Sequence, residues 1–192
     1  MPRANLIWIG TIVVLAAGCN HGPDKSALKS AINSYYSTQN ECVWPHSAEF
    51  PLQAHASHDT ETYDALANAG LLTRTTQHKD LRFLGTEQVH DYDLSDKGRS
   101  TWTPDSAQPG YGNFCFGHRQ VSTVDNVAAR RQNGVTTAVV SYHYDLTGVP
   151  DWAKSSEMQA AFPDIKADLS GSPSASANLV KTPHGWQVMP VG

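Results

Sequence analysis

The chain has 192 residues, of which 40% are hydrophobic and 17% charged, with a formal net charge of −4. That balance excludes a coiled coil, a collagen-like repeat and a polyanionic disordered tail. The charge leaves no electrostatic footprint for nucleic acid, and no apolar run reaches the roughly 18 residues that a membrane-spanning helix needs.

The N-terminus carries Arg3, an apolar stretch from Leu6 to Ala17, and then Gly18 and Cys19. A basic tip, a short apolar stretch and small residues before a cleavage point are the parts of a secretory signal peptide. As a helix, residues 6–17 extend about 18 Å, short of the roughly 30 Å hydrocarbon core. Removal of residues 1–18 is therefore expected, rather than their retention as an anchor. Ala16-Ala17-Gly18-Cys19 resembles the lipobox of bacterial lipoproteins, with Ala16 in the slot usually held by Leu and Leu15 one place earlier. The resemblance implies that Cys19 becomes the lipidated N-terminus, carrying fatty acyl chains such as palmitate, with residues 19–24 as its tether. Several acyl chains exceed the marginal hold of a single one. Asp after the lipidated Cys favours the inner membrane in that family; Asn20 stands there instead, which implies the outer membrane with the domain in the periplasm.

With Cys19 lipidated, Cys42 and Cys115 remain, and an oxidising compartment would join them. Two separate buried thiols are the alternative. The disulfide would close a loop of about 74 residues, for which chain entropy allows up to roughly 4.5 kcal/mol.

After the tether, Asp24 is a suitable N-cap, and Leu28, Ala31, Ile32, Tyr35 and Tyr36 recur at helical spacing over residues 25–39. Pro45 and Pro51 mark an irregular connection. Asp59 or Thr60 then caps a second helix, with Tyr63, Leu66, Ala67 and Gly70 along one face. The run from Tyr63 to Arg74, followed by Tyr92 to Arg99, resembles the recognition helix and wing of winged-helix proteins. The resemblance implies a helix–hairpin–helix lobe, and in winged-helix regulators that element reads DNA. Asp59, Glu61 and Asp64, with no Lys or Arg before Arg74, would repel phosphate, so the shape is kept and nucleic acid is excluded.

The segment from Thr103 to Gly112, rich in Pro and Gly, marks a lobe boundary, after which the period changes from helical to two. Phe114 to Val127 is a predicted strand with a register break near Val121, and Asn133-Gly134 signals a hairpin turn. Val135 to Leu146 is the clearest strand, with Val140, Tyr142, Tyr144 and Leu146 on one face and Val139, Ser141, His143 and Asp145 on the other. Ser155 or Ser156 caps a helix through Ala161, and Pro163 opens another to Leu169. Residues 175–182 and 186–191 form a final hairpin around His184-Gly185. The expected fold is α+β: an N-terminal helical, winged-helix-like lobe over residues 25–103, packed on a C-terminal antiparallel sheet with inserted short helices over residues 104–192.

No catalytic motif, cofactor motif or close-spaced zinc pattern is present, and no catalytic residue is assigned. Among nine histidines, His46, His55 and His58 could supply a nitrogen metal site, and a solvated loop is the bland alternative. His143 beside Asp145 could form an acid/base pair or simply the wet side of a strand. Trp102, Tyr111, Phe116 and Trp152 gather near the lobe boundary as candidates for a binding groove, although Phe116 and Trp152 also suit the core. Phe114-Cys115-Phe116-Gly117 and Val149-Pro150-Asp151-Trp152-Ala153 are similar to an uncharacterised family of Gram-negative envelope lipoproteins, a resemblance that implies a location and no activity. The functional expectation is a non-catalytic binding module for a protein or envelope component, held at the membrane by the lipid on Cys19. The alternatives are an inhibitor or immunity-type lipoprotein, or an envelope hydrolase using His and Asp.

Overall fold

The computed structural model of the chain describes residues 22–55, 60–80 and 85–190. The leader, Cys19, His58 and Asp59 lie outside the described residues. Strand exceeds helix among the described residues, 48% against 27%.

The first helix, α1 (Lys25–Tyr36), is started by Asp24, whose Oδ1 accepts the Ser26 N–H at 2.9 Å. Three short strands follow: β1 (Glu41–Cys42), β2 (Ala48–Glu49) and β3 (Leu52–His55). Helix α2 (Glu61–Asn68) leads into the hairpin of β4 (Leu72–Asp80) and β5 (Thr86–Leu94), then α3 (Asp96–Thr101) and β6 (Trp102–Pro104). The long strands β7 (Tyr111–Gln132) and β8 (Val135–Thr147) meet at a turn in which Asn133 and Gly134 both take positive φ, 51° and 80°, as a hairpin of right-handed twist requires. A 3-10 turn at Asp151–Lys154 precedes α4 (Ser156–Ala161) and α5 (Pro163–Leu169), the second opened by its proline. Strands β9 (Ser174–Thr182) and β10 (Gly185–Val188) end the described chain.

The strands form two antiparallel sheets. The larger runs β1-β7-β8-β9-β10, with β2 and β6 also paired to β7; the smaller runs β3-β5-β4. The large sheet curls around α1, which touches both β7 and β10. Leu28 and Ile32, one helical turn apart, are fully buried there against Val121, Val140, Tyr142, Tyr144 and Leu179. A second core gathers Leu66, Leu71 and Tyr92 with Phe114, Phe116, Trp152, Met158 and Ile165, so it draws on residues from both sides of the Thr103 to Gly112 segment. Phe114 is its hub, with Trp102, Trp44 and Trp152 rings at 4.9, 6.2 and 6.4 Å.

The expected α+β arrangement, with a helical winged-helix-like N-terminal lobe, is overturned. The molecule is mostly β, and the helices before residue 103 have only 12, 8 and 6 residues. Two physical causes stand out. Helix α1 does not join α2 in a lobe; it fills the concavity of the C-terminal sheet. And the hairpin expected after α2 is long, nine residues in each of β4 and β5, and it takes up β3 into a sheet of its own, so strand outweighs the short helices around it.

Two bulges shape β7. Its register against β8 shifts between Val121 and Thr123 and again between Val124 and Asn126, leaving Ser122 and Asp125 outside the ladder. Helix α1 supplies the missing donors: Lys29 Nζ donates to the Ser122 carbonyl at 2.8 Å, and Lys25 Nζ to the Val124 and Asp125 carbonyls at 2.9 and 2.8 Å.

Cys42 and Cys115 stand directly opposite on β1 and β7 and form a disulfide, with Cα atoms 3.9 Å apart. Because the bridge spans 73 positions, its removal by the double change Cys42→Ala and Cys115→Ala is expected to cost up to roughly 4 kcal/mol in urea unfolding. Lys29→Met leaves the half-buried Ser122 carbonyl without its donor and should cost about 1 kcal/mol in the same measurement.

Candidate functional site

A cleft of about 580 Å³ opens where β1 and the following chain pass between β7 and α5. The disulfide lines it, together with Phe116, and Asn113 secures its rim. Asn113 Oδ1 accepts the Trp44 N–H at 3.3 Å, while its Nδ2 donates to the Trp44 carbonyl at 2.8 Å and to the His46 carbonyl at 3.5 Å. A single amide on β7 thereby fixes the path of residues 44–46. On the outer side, Ser47 Oγ donates to Asp105 Oδ2 at 2.6 Å.

The inner end of the cleft is charged. Arg119 pairs with Leu146 across the ladder and Tyr144 with Val121, so Arg119 and Tyr144 are diagonal neighbours on one face. The guanidinium lies 4.6 Å from the Tyr144 ring centre and 5.4 Å from that of Tyr36, a cation stacked between two aromatics. Arg119 Nε approaches Glu41 Oε1 at 2.6 Å, with side-chain exposures of 22% and 20%. The contact is coulombic rather than an aligned hydrogen bond, since the buried Nε has no hydrogen-bond partner of good geometry. Tyr144 Oη donates to Asp168 Oδ1 at 2.5 Å, so α5 closes the cluster.

Burial raises the Glu41 carboxyl above the usual glutamate range; Arg119 pulls it down, Asp168 pushes it up, and burial prevails. For Arg119, burial opposes the charge, but Glu41, Tyr144, Tyr36 and Asp168 outweigh it, and the guanidinium stays protonated. Tyr144 is raised by burial and by its hydrogen bond to Asp168, and Tyr142, wholly buried beside it, by burial and by Tyr36. Four acidic side chains, Glu41, Asp105, Asp164 and Asp168, line a cleft in which Arg119 is the one Lys or Arg. Such an arrangement suits a ligand that offers hydrogen-bond donors or positive charge.

The residues singled out from sequence fall in several places. His46 lines the cleft, while His55 is on β3, its Nδ1 2.7 Å from Glu87 Oε1. Among the described residues no group of three or more His, Cys, Asp or Glu could hold a metal ion. His143 and Asp145 engage Ser172 rather than each other: His143 Nδ1 donates to its carbonyl at 2.8 Å and Ser172 Oγ donates to Asp145 at 3.2 Å. Phe116 and Trp152 are buried in the second core, Trp102 packs at its edge, and half-buried Tyr111 is hydrogen-bonded to Glu49. Phe116 alone of these four lines the cleft. Tyr36, Glu41, Arg119, Tyr144 and Asp168 were not among the candidate site residues, and Tyr36 and Tyr144 were read only as parts of apolar faces. One signal was there: Arg119 stands two residues before Val121 on β7, a cation on the inward parity of a strand.

No family model, curated protein or solved structure matches the chain.

Because the folded pKa of Glu41 lies above its unfolded value, its contribution is full below the unfolded pKa and is lost as pH rises through the folded one. Glu41→Gln cannot ionise, so it should gain on the wild type as pH rises from about 4 to about 7. Urea midpoints at the two pH values check this; a gap that moves the other way means that the ion pair outweighs burial.

Proposed function

We propose that the chain is a membrane-anchored periplasmic lipoprotein that acts as a non-catalytic binding module, taking a protein or envelope component into the cleft between β1, β7 and α5. The observation that carries the reading is the cleft's bracing. A disulfide, the Asn113 latch and the stacked Arg119 hold an opening of about 580 Å³ in one shape, and ligand pockets fall within roughly 300–1,000 Å³. Preorganised polar groups bind with little ordering cost. The Glu41–Arg119 and Tyr144–Asp168 contacts are already made, so a ligand meets a set charge pattern rather than mobile side chains. The ligand class that fits is one presenting an amine, a guanidinium or several N–H donors.

The anchor half of the proposal rests on the lipobox residues ending at Cys19. A photo-crosslinking residue placed at Thr103, exposed on the cleft rim, should give a discrete adduct in producing cells, and one at Asn178, exposed on β9, should not. Adducts from position 178 alone would move the binding surface elsewhere. Cys19→Ser should shift the protein from the membrane fraction to the soluble one; unchanged fractionation would remove the lipid anchor.

A further inference from the structure

Helix α1 runs against the direction of β7. Lys25 bonds the carbonyls of Val124 and Asp125, Lys29 that of Ser122, Asn33 Oδ1 accepts the Val121 N–H at 2.7 Å, and the Tyr36 ring stacks on Arg119. The start of α1, to which the chain from Cys19 leads, therefore points the same way as the free end of the β7–β8 hairpin. From Asp125 to the Asn133-Gly134 turn the arm extends about eight residue steps, roughly 26 Å. The chain from Cys19 to Lys25 can reach at most about 22 Å. The arm outreaches the tether, so whenever this end of the domain turns toward the surface holding Cys19, the arm touches it.

The chemistry of the arm fits that surface. Residues 128–135 are all exposed and include Arg130 and Arg131, with Val135 at 50% and Val139 at 49% exposure beside them. Arg131 pairs with Thr136; the next pair inward joins Thr137 to Val180, and Lys181 pairs with Trp186. Arg131, Lys181 and Trp186 thus share one transverse row of the sheet, and Lys181 Nζ lies 5.4 Å over the Trp186 ring. Although the chain is acidic overall, it has no Asp or Glu between Asp125 and Asp145, and none after Asp168. At the arm's base, Asp24 is occupied in capping α1, and Asp125 faces His143 Nε2 at 3.4 Å. Guanidinium groups bind phosphate in a fork, ammonium as a point charge, and an indole suits the headgroup layer.

We propose that the β7–β8 arm, with Lys181 and Trp186, is a docking surface for the anionic phospholipid headgroups of the membrane that carries the chain; the proposal rests on the lipoprotein reading for the presence of that membrane. Docked in this way, the domain would hold the Glu41–Arg119 cleft away from the bilayer, because the cleft lies at the other end of β7.

The test uses the full lipidated chain purified from membranes and placed in vesicles of phosphatidylcholine alone or mixed with phosphatidylglycerol. Amide hydrogen exchange over residues 128–137 and 181–186 should slow only where phosphatidylglycerol is present. The triple change R130Q, R131Q and K181Q should abolish that slowing while the chain stays attached, with exchange in β1 and α5 unchanged as evidence of an intact fold. Equal exchange in both vesicle types, or slowing confined to the cleft end, overturns the surface and leaves the anchor standing. Arm protection by phosphatidylglycerol in a chain whose mass shows no lipid on Cys19 supports the surface and removes the anchor.

Discussion

The unpaired carbonyls of β7 set the terms for the rest of the structure. A strand of 22 residues cannot stay in register with a twisted partner and also wrap a helix, and β7 solves this by expelling Ser122 and Asp125 from the ladder. Each bulge bends the sheet and leaves backbone acceptors that need donors. Lys25 and Lys29, one turn apart on α1, supply them, and the bend they stabilise forms the concavity that buries Leu28 and Ile32. Hydrogen bonding and apolar burial are coupled here, since the helix that satisfies the bulges is also the helix that the bent sheet encloses. The same docking brings Tyr36 to Arg119 and so builds the inner wall of the cleft.

The other half of β7 does different work. Before Gly117 it pairs with β6, β2 and β1 in place of β8, and it carries the disulfide, Asn113 and the hub Phe114. Gly117 sits at the changeover with φ at 139°, and a Cβ there would lie 2.7 Å from the Thr147 carbonyl oxygen, so only glycine allows β8 to leave at that point. One strand therefore joins the two cores, and the cleft is the space left where its partners change.

What the sequence disclosed follows from how local the signals were. The break near Val121, the Asn133-Gly134 turn, the inward run Val140, Tyr142, Tyr144 and the proline that opens α5 are each written in a few consecutive residues, and each is present in the structure. The cleft is not local. Tyr36, Glu41, Arg119, Tyr144 and Asp168 come from α1, β1, β7, β8 and α5, and only tertiary pairing brings them together. Helical spacing over residues 25–39 found α1 but not its partner. Because α1 is first in sequence, it was grouped with α2, whereas its lysines belong to the bulges about a hundred residues later. Of the aromatic candidates, Phe116 and Trp152 fill the core that their size suited and Trp102 packs at its edge, so a groove among them does not form.

Charge follows the same axis as the backbone. Glu41, Asp105, Asp164 and Asp168 surround the cleft at one end of β7, while the arm at the other end bears Arg130 and Arg131 with no carboxylate on the sequence between Asp125 and Asp145. A net charge of −4 averages over this separation and conceals it. An acidic cleft repels an anionic bilayer and attracts cationic groups, and a cationic arm does the reverse. Over distances of about a Debye length, near 8 Å in physiological salt, each end responds to its own surroundings rather than to the total. In the proposed lipoprotein, a domain with this dipole would be tethered beside its positive end and oriented by electrostatics before any specific contact forms, with its negative, braced cleft turned away from the bilayer.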